Sequence, residues 1–340
     1  MSKFLLAVND VLLFQLQDLC MAPGSHITIA GLNNNIYLAS ISPESFKLYS
    51  TNQHFETEDF SIRIPKRILH PLIMEPCALY FETSQRITVS KVRNEKLTAK
   101  VTFCLELDLN DQFISEVISN SSQASQTYDM TPLADLKPLV PFSQSGIQFV
   151  DNLAYIHSPG FMAFRKLEHP INFILTQKTI AELVKFTKAY GNICLFESGN
   201  YLVFRHDGCF FGCRQPAAFI DSNYSNYLAA NPLMQTECSF TELCQLLKSF
   251  SIPKHEDPLA TFDFNNNVID ISPELDCKYV LRLEAKTQLQ GSIKLSVDVL
   301  KQVFSNSMLD YKAVELVVYQ HFVAFRFGSI HILMHRYDEE

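Results

Sequence analysis

Along the chain, apolar positions switch between two periods. Stretches such as "NDVLLFQLQDLC" from Asn9 and "TQKTIAELVKF" from Thr176 place apolar residues three and four apart, the spacing of an amphipathic helix. Stretches such as "RITVSKV" and "ATFDFN" alternate apolar and polar residues, the period of a strand with one buried face. The two patterns follow each other in a fixed order, one helix and then three strands on tight turns. The unit starting at Ile64 recurs at Leu175 and at Leu295, a period of roughly 110 residues.

Each unit is preceded by a weaker copy of itself. Helices are expected from Asn9, Thr131 and Ser239, each opening on a residue type that can cap a helix N-terminus. Alternating segments follow, punctuated by turn signals at Asn33 to Asn35, Asp207-Gly208 and Asn265 to Asn267. The pattern therefore predicts an α+β chain of three tandem domains, each with two helices packed on antiparallel sheets. The expected domains are residues 1–114, 128–230 and 231–340. The Ser/Gln/Asn-rich stretch Ser115 to Thr127 reads as the first linker, and a second runs from Asp221. In the helix after Leu175, Ile180, Leu183, Val184 and Thr187 fall on one side, and Lys178, Lys185 and Lys188 on another.

Composition narrows the class. The 340 residues are 47% hydrophobic and 19% charged, ordinary for a globular chain. No apolar run reaches the ~20 residues that span a bilayer, and Asp10 falls too early for a signal peptide, so a cytoplasmic location is expected. The nine cysteines have no paired spacing and sit mostly in apolar strands or helices, as Cys104, Cys194 and Cys244 do, which suits buried reduced thiols. A net charge of −8 argues against a protein coating nucleic acid with its whole surface, but not against one basic face.

Candidate chemistry is sparse. No Walker loop, G-x-G-x-x-G, H-E-x-x-H or G-x-S-x-G occurs, and no cofactor is implied. His206, Cys209 and Cys213 suggest a metal site, but strand residues four apart stand ~13 Å apart, too far for two thiolates on one zinc. They read as strand cysteines. The basic run Arg86, Lys91, Arg93, Lys96 and Lys100 alternates like a strand, and such charge also protects an open sheet edge.

The segment "FILTQKTIAELVKF…GNICLFESGNYLVFRHDGCFFGCR…FIDSNY" and the C-terminal "HILMHRY" resemble the DNA polymerase sliding clamps of the bacterial beta type, and the likeness extends over nearly all 340 residues. Individual identities are sparse, so the resemblance is to a divergent member, a virus-encoded one included. The resemblance implies a head-to-tail homodimer whose six domains close a ring around duplex DNA and tether a polymerase. It implies helices lining the bore, a separate clamp loader, no membrane and no reaction to catalyse.

A sliding bore needs positive potential without base readout. The positions the resemblance offers are Lys66 and Arg67, Lys137, Lys178, Lys185, Lys188, Lys248 and Lys301. By charge the second and fourth helices are basic, while the first, with Asp10 and Asp18, is acidic. The same resemblance places an apolar partner-peptide pocket at Ser158, Gly160, Phe161, Met162, Pro232, Phe322, Leu333, Met334, His335, Arg336 and Tyr337. Here Phe161-Met162 replaces the family's usual His-Arg pair, and Asp338, Glu339 and Glu340 extend past its usual end. Two other readings remain: a monomeric clamp-fold protein that binds partner peptides without encircling DNA, and an enzyme on a new α+β repeat.

Overall fold

The computed structural model describes residues 2–55, 58–83, 86–104, 110–124, 127–129, 133–143, 146–190, 192–215, 231–249, 258–273, 280–285, 290–304 and 311–337. The chain packs as two compact units, one of residues 1–130 with 185–215, the other of 131–184 with 216–340.

Helix α1 (Asp10–Met21) starts where Asn9 accepts a hydrogen bond from the Leu12 N–H at 2.9 Å. It stops at Ala22, whose N–H closes on the Asp18 carbonyl before Pro23-Gly24. Leu12, Leu16 and Leu19 form its buried stripe. Helix α2 (Lys66–Leu69) runs straight into a 3-10 turn, His70–Ile73. The first unit then divides into two sheets. Four strands run in the order β1 (Ser2–Val8), β6 (Cys77–Thr83), β7 (Arg86–Arg93) and β8 (Lys96–Cys104). Eight run in the order β5 (Phe60–Pro65), β2 (His26–Leu32), β3 (Asn35–Ile41), β4 (Ser45–His54), β16 (Cys209–Arg214), β15 (Tyr201–His206), β14 (Asn192–Ser198) and β9 (Thr127–Asp129).

The second unit repeats this scheme. Its eight-stranded sheet runs β13 (Phe173–Leu175), β10 (Ile147–Val150), β11 (Leu153–His157), β12 (Phe161–Lys166), β24 (Ile330–His335), β23 (Phe322–Phe327), β22 (Ala313–Val318) and β17 (Met234–Ser239). Its four-stranded sheet runs β20 (Leu281–Glu284), β19 (Val268–Pro273), β18 (Leu259–Asn265) and β21 (Gly291–Ser296). Helices α6 (Phe240–Ser249) and α7 (Val297–Phe304) open on Ser239 and Ser296, whose hydroxyls accept from the N–H groups of Glu242 and Val299.

Each eight-stranded sheet is two four-stranded halves joined antiparallel, at β4 with β16 and at β12 with β24. Continuous backbone pairing across those joins explains why the stretch 128–230, expected as one domain, divides between the two units. At the first join Gly212 stands opposite Phe46, and a Cβ on Gly212 would lie 1.9 Å from the Phe46 ring. Only glycine lets that ring lie flat across the seam. The three turn signals are hairpins, with Asn33, Asn34, Asp207 and Asn267 in the left-handed region.

Three expectations differ from the structure. The stretch 115–127 is not all linker: α3 (Asn110–Ser121) is helical and buries Ile114 and Val117. Its apolar stripe holds it to a sheet despite the polar composition around it. The helix expected from Thr131 is short, α4 (Leu133–Leu136) followed by a 3-10 stretch Lys137–Phe142. Pro138 and Pro141 there remove backbone donors, and Thr131 lies outside the described residues. Cys104 is exposed, because β8 is an edge strand, while Cys194 and Cys244 are half-buried and Cys213 and Cys238 are buried.

Candidate functional site

The second unit carries an apolar cluster on the face of its long sheet opposite to the helices. Met162 and Leu333 are cross-strand partners at the β12–β24 seam, and Ala324 on β23 continues the same row. Tyr155, Phe164, Val317 and Tyr319 complete the cluster, with Val150, Leu153 and Phe322 packed at its margin. The Tyr319 and Phe322 rings stack at 4.4 Å across their hairpin. Met162 at 9% and Leu333 at 8% are the most exposed of these seven residues, all of which are buried. A thioether beside aromatic rings makes an adaptable apolar floor.

The two-residue period of a strand divides the residues expected in the pocket. Met162, Phe322 and Leu333 meet on the outer face. Phe161 and Met334, also cross-strand partners, turn to the helical side, where Phe161 lies 6.5 Å from the Phe142 ring and Met334 is 1% exposed. Gly160 lies against Val299 of α7, with room for no Cβ. Ser158 is buried and its N–H closes the hairpin on the Phe161 carbonyl at 2.9 Å. Pro232 is exposed just before β17, and the N–H of its neighbour Leu233 bonds the Val318 carbonyl. Arg336 donates to the Tyr319 carbonyl at 3.1 Å, tying the chain end to that hairpin. His335 is exposed and stands edge-on to Tyr337 at 5.2 Å, while the Tyr337 N–H bonds Lys294. Asp338, Glu339 and Glu340 lie outside the described residues.

Sequence reasoning missed Tyr155, Phe164 and Tyr319. The alternation in "FMAFRK" pairs Phe164 with Met162 on one face and was sufficient to find it. His331 joins this face 4.9 Å from the Phe164 ring, and burial, with Arg326 adding to it, lowers its basicity against the opposing pull of Glu315.

The basic positions lie on or beside helices. In α5 (Gln177–Tyr190) the stripe Ile180, Leu183, Val184 is buried, and Lys178 and Lys185 are exposed. The side chains of Thr187 and Lys188 lie outside those described. Arg67, Lys137 and Lys248 are exposed, and Lys301 is half-buried in the last turn of α7. Lys66 is different. Its ammonium donates to the Ala22 carbonyl at 2.5 Å, capping the C-terminus of α1, and burial lowers its pKa. The acidity of α1 is also partly masked: both Asp18 carboxylate oxygens accept from Lys47 at 3.1 Å, and Tyr49 donates to one at 2.7 Å.

His206 and Cys209 face each other across the β15–β16 hairpin, while Cys213 is buried further along the strand with its thiol pushed up to about 12 by burial. Among the described residues no three His, Cys, Asp or Glu side chains come within reach of one metal ion. The basic run from Arg86 lies on β7 and the edge strand β8, where Arg93 and the buried Lys91 both pair with Glu75.

Two long sheets, each joined from two half-sheets, with a further half-sheet in each unit, make this the fold of the bacterial beta sliding clamps. The DNA polymerase sliding clamp of Pseudomonas aeruginosa matches over 100% of both chains with a TM-score of 0.76 at 12% identity. The Caulobacter crescentus beta sliding clamp matches over 99% of both chains, at 0.71 and 12%. The Helicobacter pylori beta clamp bound to a DNA ligase peptide matches over 99% of this chain and 100% of its own, at 0.68 and 13%. No protein-family model and no curated protein matches the sequence.

Proposed function

We propose that this chain is a DNA sliding clamp, a ring-forming processivity factor that acts by topology. The observation that supports it most is the pair of unfinished sheets. In β1-β6-β7-β8, strand β8 holds the place that β16 and β24 hold in the joined sheets. In β20-β19-β18-β21, strand β20 holds the place of β4 and β12. Each chain thus carries two joined seams and the two complementary halves of a third. Exposed Leu97 on β8 and Val280 beside β20 mark those open ends, and Lys96 and Lys100 oppose Glu284 in charge. Antiparallel addition of β8 to β20 of a second copy repeats the seam already made twice within the chain. Two copies related head-to-tail satisfy both edges and close.

In that ring the exposed cations on the helices, Lys178 and Lys185 foremost, face the duplex and attract phosphate without reading sequence. The Met162–Leu333 face takes an apolar peptide from a polymerase or another partner, and a loader opens the ring. A cytoplasmic location goes with this role. The test is retention on circular against linear DNA. After loading onto a nicked circle, the protein should co-elute with the DNA and be shed when one cut linearises it. Equal retention on both forms would mean ordinary surface binding and would refute encirclement.

A further inference from the structure

The four-stranded sheet of the first unit has one buried face and one that carries a cavity. Strict alternation turns Phe4, Leu6, Leu79, Phe81, Ile87 and Val89 to the buried side. On the opposite side the strand registers set out three rows across β1, β6, β7 and β8. Lys3, Glu82, Thr88 and Thr102 form the first, and Leu5, Tyr80, Ser90 and Lys100 the second. Ala7, Ala78, Val92 and Leu97 form the third. Ser90 is the short side chain of the middle row, and at it opens a cavity of about 560 Å³ whose lining includes Leu5, Tyr80, Val92, Lys3, Glu82 and Lys100. Leu5 and Tyr80, cross-strand partners, are each 45% exposed, and Leu97 is 60% exposed. Apolar side chains scattered singly need no explanation, but here neighbours stand exposed around one hollow.

The rim of the hollow is charged, and its charges do not balance. Lys3 donates to Glu82 at 2.7 Å, and this bond, with the charges of Lys3 and Lys100 adding to it, holds the Glu82 carboxyl below its usual range. Glu82 thus engages one lysine, while Lys100 across the hollow supplies surplus positive charge. Exposed Arg86 lies on the same face, two residues before Thr88. This face is therefore basic on a chain whose net charge is −8. The Lys100 ammonium and the hydroxyls of Ser90 and Tyr80 are donors for a carboxylate. Leu5, Ala78 and Val92 offer an aliphatic floor to an apolar side chain. Glu82 disfavours a phosphodiester strand, whose closely spaced negative charges would meet its carboxylate.

We propose that this face is a docking site for an acidic partner peptide: the hollow at Ser90 takes an apolar side chain of the peptide, and Lys100 takes a neighbouring carboxylate. The site is built from the first unit alone. It uses the face of the sheet and not the β8 edge, so it stands whether or not two copies close a ring.

The test is a methyl NMR titration of the full chain, labelled at leucine and valine. The probes are the peptide Glu-Leu-Glu-Phe-Glu, its neutral counterpart Gln-Leu-Gln-Phe-Gln, and an oligothymidylate. The acidic peptide should shift the Leu5 and Val92 methyls saturably, and the neutral one should bind roughly fivefold more weakly, as loss of an exposed ion pair allows. Lys100→Gln should remove that preference for acid. Ser90→Phe, which fills the hollow, should abolish both shifts. No shift at Leu5 and Val92, equal binding of the two peptides, or an acid preference unchanged in K100Q would overturn the proposal. So would shifts confined to the second unit, at Val317 and Leu333. A stronger response of Leu5 and Val92 to the oligothymidylate would make the face a nucleic-acid surface and the proposal wrong. No readout uses duplex DNA or a loaded ring, so failure of the clamp reading does not imitate failure of this one.

Discussion

Asp18→Asn tests whether the acidic first helix is built around an internal ion pair. The Lys47 side chain is only 9% exposed, and its ammonium reaches both Asp18 oxygens at 3.1 Å. Removing one member of a buried pair costs ~3–5 kcal/mol, because the remaining charge stays desolvated. Asp18 is 29% exposed, so water compensates part of this, and about 2 kcal/mol is the expected loss. The Tyr49 hydroxyl keeps an acceptor in the amide oxygen and adds little. D18N/K47M removes both charges at similar volume and should recover to within about 1 kcal/mol of wild type. Urea unfolding followed by near-ultraviolet circular dichroism reads both. A D18N loss below about 0.5 kcal/mol, or a double variant no better than the single, would refute an energetically coupled pair.

Four further outcomes follow from the same structure. Gly212→Ala should destabilise the first unit by ~1–3 kcal/mol, because the added methyl meets a Phe46 ring hemmed in by Phe113 and Tyr201; thermal unfolding checks it. His331 has its pKa lowered in the fold, so the unfolded chain takes up a proton first as pH falls below ~6.5. Stability of the second unit should therefore decline on acidification from that point, and His331→Gln should flatten the decline. Replacing Lys178 and Lys185 by Ala should lower the slope of log affinity against log salt on duplex DNA by up to ~0.9 for each phosphate left unneutralised, with sequence preference unchanged. Among the described thiols, Cys104 should react first with a maleimide, whereas Cys213 and Cys238, each pushed up to about 12 by burial, should stay unlabelled until unfolding.

Much of the fold was legible because local signals and packing agree. Asn9 and Ser239 cap the helices they precede, and the Asn and Asp-Gly turns close hairpins as their backbone preferences dictate. Helix α3 escaped because Ser, Asn and Gln dominate its surroundings, although Phe113, Ile114, Val117 and Ile118 have the spacing of a buried stripe. In such a segment the apolar period, and not the composition, marks the helix. The apolar cluster of the second unit was half legible: Met162, Phe322 and Leu333 meet in it, but strict alternation sends Phe161 and Met334 to the other face of the sheet. Lys66 could not have been distinguished from an exposed helix lysine, because its acceptor is a carbonyl 44 residues earlier in the chain. The exposure of Cys104 likewise depends on β8 lying at an edge, which only strand order reveals.

The central claim is that two open half-sheets join between copies to close a ring, and solution mass tests it most directly. Sedimentation equilibrium at micromolar concentration should give twice 38.8 kDa for the wild type, and 38.8 kDa for a variant with Leu97→Asp on β8 and Val280→Asp beside β20. A wild-type chain that remains at 38.8 kDa across that range would contradict the closed ring and favour a monomeric clamp-fold protein that binds partner peptides alone.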